Sequence, residues 1–265
     1  MPNLMLASKG ETPLFDKVDR YIHLAEDWIT KSLTSMSTFT TICNYSDVME
    51  IKDITARLSV VETFRLAIPQ LDIVLTTNGF AVVSTQNLTP ASKPRIDRLL
   101  GSLAAERDQL ISRLLVELVG ASKWLSSDQA AYFGGSIFFG IDICDSMNVP
   151  LGQRWEKFKE LRPKAIDIED GLADDYFSPE LMTALRNRVL RRKLNPADTR
   201  LVAAIRAQVV VYLQGGTINS RRMVDMVQYI RERPDDFPEW HDSDTARQFT
   251  PPVFRNAKKA SGYFF

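Results

Sequence analysis

Ser92-Lys-Pro-Arg-Ile-Asp-Arg-Leu-Leu-Gly-Ser-Leu-Ala-Ala-Glu-Arg-Asp-Gln-Leu-Ile-Ser-Arg-Leu-Leu-Val-Glu-Leu-Val-Gly120 decides the fold class. Serine is a favoured helix N-cap. Proline is tolerated in the first turn, where its missing N–H would have no partner anyway, and glycine commonly stands just past a helix end. Between these signals Ile96, Leu99, Leu100, Leu103, Leu110, Leu114 and Leu118 recur at intervals that put them on one stripe of a helix. About 26 residues rising 1.5 Å each make a rod of roughly 40 Å. A rod with one apolar stripe needs further helices against it.

The residues on its N-terminal side offer two of them and a hairpin. Ile73-Val-Leu-Thr-Thr-Asn78-Gly79-Phe-Ala-Val-Val-Ser84 sets two β-branched runs on either side of Asn-Gly. Both central positions of a tight type I′ turn need positive φ, which Asn and Gly accept, so residues 72–85 read as a β-hairpin. Earlier, Phe15, Val18, Ile22, Ala25, Ile29 and Leu33 mark an amphipathic helix between Thr12 and Leu33. After a Ser/Thr-rich connection, Ile51, Ile54, Leu58, Val61 and Phe64 mark a second helix. It is expected to stop before Pro69, because the residue preceding proline resists the α conformation.

On the C-terminal side the pattern weakens from Ala121 to Pro150, where three glycines surround Ile137-Phe-Phe139, a run too short to arbitrate between strand and helix. Trp155, Phe158 and Leu161 then predict a short helix before Pro163. Ser178-Pro179-Glu180 and Asn195-Pro196-Ala-Asp198 each combine a cap residue, a first-turn proline and an early acid. The second opens a helix through Leu201 to Leu213, and a last helix runs from Asn219 to the stop at Pro234. The expected architecture is mainly α: a two-lobed helical bundle with one hairpin, divided into residues 1–125, 126–234 and an extended C-terminal arm, 235–265.

Composition narrows the function classes. Lys plus Arg and Asp plus Glu number 33 each, so no net field draws the chain to nucleic acid or an anionic membrane, and any such contact has to be local. Cys43 and Cys144 stand about a hundred positions apart with no CxxC partner, the pattern of buried thiols in a reducing compartment. No apolar run approaches the roughly 18 residues of a membrane span, and the first residues do not read as a secretory signal. The expected place is the cytoplasm.

No catalytic, cofactor or metal site is expected. His23 and His241 lie far apart in sequence, and no phosphate-cradling or common hydrolytic motif occurs. The acidic run Asp167-Ile-Glu169-Asp170-Gly171-Leu-Ala-Asp174-Asp175 lacks the spacing of a calcium loop and reads as a solvated connection between helices. The basic run holding Arg186, Arg188, Arg191, Arg192 and Lys193 spreads its charges around most of a helix circumference, which argues against groove reading. Solvation, pairing with the acidic run within or between chains, and nonspecific phosphate contact stay open. The chain closes on Phe254-Arg-Asn-Ala-Lys-Lys-Ala-Ser-Gly-Tyr263-Phe264-Phe265, an aromatic segment that folds back on its own helices or docks on a neighbour.

From Pro69 to Leu118, the hairpin around Asn78-Gly79-Phe80, the Pro90-Ala-Ser-Lys93 connection and the leucine-rich helix resemble virion-type proteins encoded in prophages of Bacteroidetes. The ending after Phe254-Arg-Asn256 is similar too. The resemblance covers roughly a quarter of the chain. It implies a head-completion or head-tail connector protein that forms a ring beneath the portal, with itself and neighbouring portal or tail components as partners and no catalytic residues. The interaction candidates are then Phe254, Tyr263, Phe264 and Phe265 together with Arg188, Arg191 and Arg192. A helical nucleic-acid-associated or regulatory protein, or an enzyme with an intersubunit site, would share most of these features.

Overall fold

The computed structural model describes residues 14–44, 49–71, 73–76, 79–82 and 92–250. The protein is mainly helical. By their internal contacts the described residues form two compact units: one up to Lys164 together with Val189–Lys193, the other Ala165–Arg188 with the residues from Leu194 on. The division falls inside a helix, between Lys164 and Ala165.

In the first unit, α1 (Leu14–Ile29) buries Val18, Tyr21, Ala25 and Ile29 at helical spacing. It runs into a π-helical turn, Thr30–Thr34, closed by a hydrogen bond from the Ser35 N–H to the Thr30 carbonyl at 2.9 Å. Ser35 leaves the turn at φ 70°, a conformation that costs a non-glycine residue roughly 1–3 kcal/mol. Next come α2 (Met36–Asn44) and α3 (Met49–Leu71). Pro69 does not end α3: lying two residues before the last, it forfeits only one N–H bond, and the helix continues to Leu71. β1 (Ile73–Thr76) pairs antiparallel with β2 (Gly79–Val82) in the register Ile73↔Val82 to Thr76↔Gly79. Asn78 lies outside the described residues.

The long helix α4 (Lys93–Leu118) packs chiefly against α3. Its stripe is buried from Leu103 through Leu110, Ile111, Leu114, Leu115 and Leu118, whereas Leu99 is exposed and Ile96 and Leu100 half-buried, so its first turns lie outside the core. The stretch left open by the sequence contains α5 (Ser122–Leu125), α6 (Asp128–Gly134) and α7 (Asp142–Ser146). Ile137, Phe138 and Phe139 are buried in a bend between α6 and α7.

α8 (Arg154–Leu172) does not end before Pro163, as the sequence predicts, but contains it, and is followed by a second π-helical turn, Ala173–Phe177. The acidic run expected as a loop is therefore helix and π turn. After Ser178 come α9 (Pro179–Leu190), α10 (Pro196–Leu213) and α11 (Ser220–Arg231). The caps behave as their residues predict: Ser178 Oγ accepts from the Leu181 N–H, Asn195 and Asp198 form a reciprocal capping box, and Asn219 Oδ1 accepts from the Arg222 N–H. The expected arm does not begin at 235. Pro238 occupies the first turn of α12 (Pro238–His241), where proline is harmless, and α13 (Asp244–Phe249) follows, with Phe237, Trp240 and Ala246 buried.

Both π turns are fastened in the same way. Trp124 in α5 is buried and donates its indole N–H to the Leu33 carbonyl at 2.7 Å; Trp240 in α12 is buried and donates to the Tyr176 carbonyl at 2.9 Å. Each tryptophan is followed by a serine, Ser127 or Ser243, which donates to the tryptophan carbonyl at 2.6 Å and caps the next short helix. Removing an indole donor leaves the buried Leu33 carbonyl or the half-buried Tyr176 carbonyl without its partner. Trp124→Phe and Trp240→Phe should therefore each lower unfolding free energy by about 1–3 kcal/mol in urea titrations, without loss of helical circular dichroism.

Candidate interaction surface

The basic run divides into two chemistries. Arg186, on α9, donates from Nε and Nη2 to Glu169 Oε2 at 3.0 and 2.9 Å and from Nη2 to Asp170 Oδ1 at 2.8 Å, so part of the acidic run on α8 is paired within the chain. Arg188, some 200° further round α9, reaches a different set of carboxylates. Its Nη1 donates to Asp198 Oδ1 at 2.8 Å and its Nη2 to Glu239. Asp198 is fully occupied, since its Oδ2 accepts the Asn195 N–H at 3.1 Å, and Asn195 Nδ2 donates onward to Asp236 Oδ1 at 3.3 Å. Arg188 thus ties α9 to the starts of α10 and α12. Arg191, Arg192 and Lys193 are exposed in the turn after α9, where Arg192 takes φ 55°, and have no ion-pair partner among the described residues.

A second charged cluster escaped the sequence reading. Arg65 grips Glu62 through two bonds, Nε to Oε2 at 2.8 Å and Nη2 to Oε1 at 2.9 Å. Beside them on α4, Arg107 and Asp108 are 2% and 0% exposed. Arg107 Nη2 is 3.5 Å from Asp108 Oδ1 and Nη1 is 4.0 Å from Glu156, while Nε has no partner. Burial, followed by the neighbouring Arg65 charge, pulls the Arg107 guanidinium below its ordinary pKa. Asp108 Oδ2 accepts the backbone N–H groups of Gly152 and Arg154 at 2.8 and 2.9 Å and so caps the entry to α8. The available signal was an arginine falling on the leucine stripe between Leu103 and Ile111.

Other titratable groups are also held structurally. His23 is exposed beside Glu26, and His241 Nε2 lies 3.2 Å from the Ile230 carbonyl. Among the described residues no group of three or more His, Cys, Asp or Glu could hold a metal ion. No described helix is long and apolar enough to cross a membrane. An open groove of about 850 Å³ is lined by residues including Lys31, Ser35, Lys123 and Asp128. Its lysines are engaged, Lys31 with Asp27 at 2.7 Å and Lys123 with Thr41 Oγ1 at 3.2 Å. Cys144 is buried with its thiol 3.3 Å from the Arg154 carbonyl, and burial pushes it up to about 11. Phe254, Tyr263, Phe264 and Phe265 lie outside the described residues.

Residues 8–134, just under half of the chain, match the model of a family described as a family of unknown function (DUF6712). No curated protein and no solved structure matches the chain.

Two outcomes follow from this geometry. Arg188→Ala should cost about 2–4 kcal/mol in denaturant titrations, because it leaves the buried Asp198 and the half-buried Glu239 without their counter-charge, whereas Arg191→Ala and Arg192→Ala should each stay within about 0.5 kcal/mol. At pH 8 the thiolate is scarce on native Cys144, so alkylation of this thiol followed by mass spectrometry should be slow and accelerate sharply on unfolding.

Proposed function

We propose that the chain is a structural protein of a phage particle, assembling with copies of itself as a head-tail connector ring between portal and tail. The observation that carries this reading is the placement of charge and apolar surface. Buried charges are spent on internal pairs and helix caps, while large apolar side chains stand outside: Leu24 is 54% exposed, Met36 66% and Met49 74%. A catalyst needs the reverse arrangement, with pKa-shifted groups converging in a concavity. Exposed apolar groups become an interaction surface where they gather into one patch, which copies of the chain would bury between them. The resemblance over Pro69 to Leu118 and the balanced 33 and 33 charges, which let copies approach without repulsion, support the same reading. On this reading the chain is cytoplasmic during assembly and then part of the virion.

A nucleic-acid contact is the second reading, favoured by the exposed Arg191, Arg192 and Lys193.

Light scattering and negative-stain imaging at rising concentration test the first reading: defined high-order oligomers are expected, weakened by deleting residues 254–265, and a strict monomer at every concentration overturns it. For the second, DNA affinity should fall with salt at a log–log slope of about −3 for three phosphate contacts, and Arg191→Ala with Arg192→Ala should flatten that slope by about 2.

A further inference from the structure

Two lengths of this chain, 14–134 and 154–249, repeat one order of elements. Each runs through a long helix, a π turn, a positive-φ serine and three further helices, then two short helices. The first short helix holds a tryptophan at its third position, and the second is capped by a serine. Finer details agree as well. Each tryptophan donates to the carbonyl of the fourth residue of its π turn, Leu33 or Tyr176. Ser35 (φ 70°, ψ 155°) and Ser178 (φ 64°, ψ 145°) leave the turns in one conformation. Each donates its N–H to the carbonyl of the turn's first residue, at 2.9 and 2.7 Å. π turns and non-glycine residues at positive φ are both uncommon, so their joint return in one order is not a general consequence of helix packing.

Burial agrees along the helices between. With Ile54 set against Leu201, the buried Ile51, Thr55 and Leu58 of α3 fall on the buried Asp198, Val202 and Ile205 of α10. With Trp124 set against Trp240, the buried Arg107, Ile111 and Leu114 of α4 fall on the buried Met223, Val227 and Ile230 of α11.

We infer that the chain carries one helical module twice, residues 154–249 being a diverged second copy of the stretch matched by the family model, whose match ends with α6. A surface by which the matched stretch meets a partner therefore has a counterpart in 154–249, altered where the modules differ. They differ in two places. Between α3 and α4 the first module inserts the hairpin, whereas the second passes from Leu213 to Ser220, and α4 has 26 residues against 12 in α11. The hairpin and the first turns of α4 are thus additions to the shared module, in keeping with the exposure of Leu99. Secondly, Glu62 falls on Val209, and Asp108, which holds the N–H groups of Gly152 and Arg154, falls on Val224. Valine has no side-chain oxygen to accept an N–H, so only the first module can seat the entry of a following long helix in this way. That seat accounts for the start of α8 belonging, by its contacts, to the first compact unit.

The test measures both modules in the full-length chain by double electron–electron resonance, diluted with unlabelled chain so that only distances within one chain are read. Nitroxides coupled to a ketone-bearing residue, which spares Cys43 and Cys144, are placed pairwise at Thr40, Ala56 and Ser126 of the first module. The same is done at their counterparts Thr183, Ala203 and Asp242, and all six positions are exposed. Each distance in the first triangle should match its partner in the second to within about one helical turn, 5.4 Å. Any distance that departs from its partner by more than a turn overturns the inference, whether or not copies of the chain assemble. Where a label at Ala56 or Ala203 costs helical circular dichroism, the equivalent and exposed Asp53 or Arg200 takes its place under the same criterion.

Discussion

An indole N–H bonded to a π-turn carbonyl fastens each of the two compact units within itself. A π turn interrupts the regular helical ladder, and the carbonyl it misaligns, buried at Leu33 and half-buried at Tyr176, takes a donor from elsewhere. Trp124 and Trp240 supply that donor and fill the surrounding space with a large ring. The four-residue helices α5 and α12 are far too short to persist alone and exist because they deliver these tryptophans. The positive-φ Ser35 and Ser178 are tolerated for the same reason, since each redirects the chain from π turn to next helix and caps that helix through its hydroxyl.

With the backbone fixed in this way, charge serves as internal fastening. Arg186 and Arg188 join neighbouring helices, and Asp108 seats the entry to α8. Such pairs gain little net stability over apolar packing, but once formed each member is costly to orphan, so they enforce one arrangement. The buried Nε of Arg107 has no hydrogen-bond partner among the described residues, so this position carries a desolvation cost.

Much of the helical content was legible because it rests on local signals. The α1 stripe and the caps at Ser178, Asn195 and Asn219 depend on residues within one or two turns of each other. The prolines misled where tertiary packing overrode them: Pro163 lies inside α8 and Pro69 inside α3. Arg188 was singled out as an interaction candidate, but its carboxylate partners lie ten and fifty-one residues away in sequence, a distance no local pattern reveals. The most informative signal was present and brief. Trp124-x-x-Ser127-Asp128-x-Ala130-x-x-Phe133 returns as Trp240-x-x-Ser243-Asp244-x-Ala246-x-x-Phe249, whereas the intervening helices diverged until charges stood opposite valines, hiding the repeat outside its latch.

Hydrogen exchange at the four tryptophan indoles, followed by nitrogen-edited NMR with each resonance assigned by a Trp→Phe variant, reads the two latches separately. Two copies of one module require the Trp124 and Trp240 N–H protons to persist together in D₂O with similar protection. A Trp240 proton that exchanges as fast as a solvated indole while that of Trp124 persists would contradict the equivalence on which the whole reading of this chain stands.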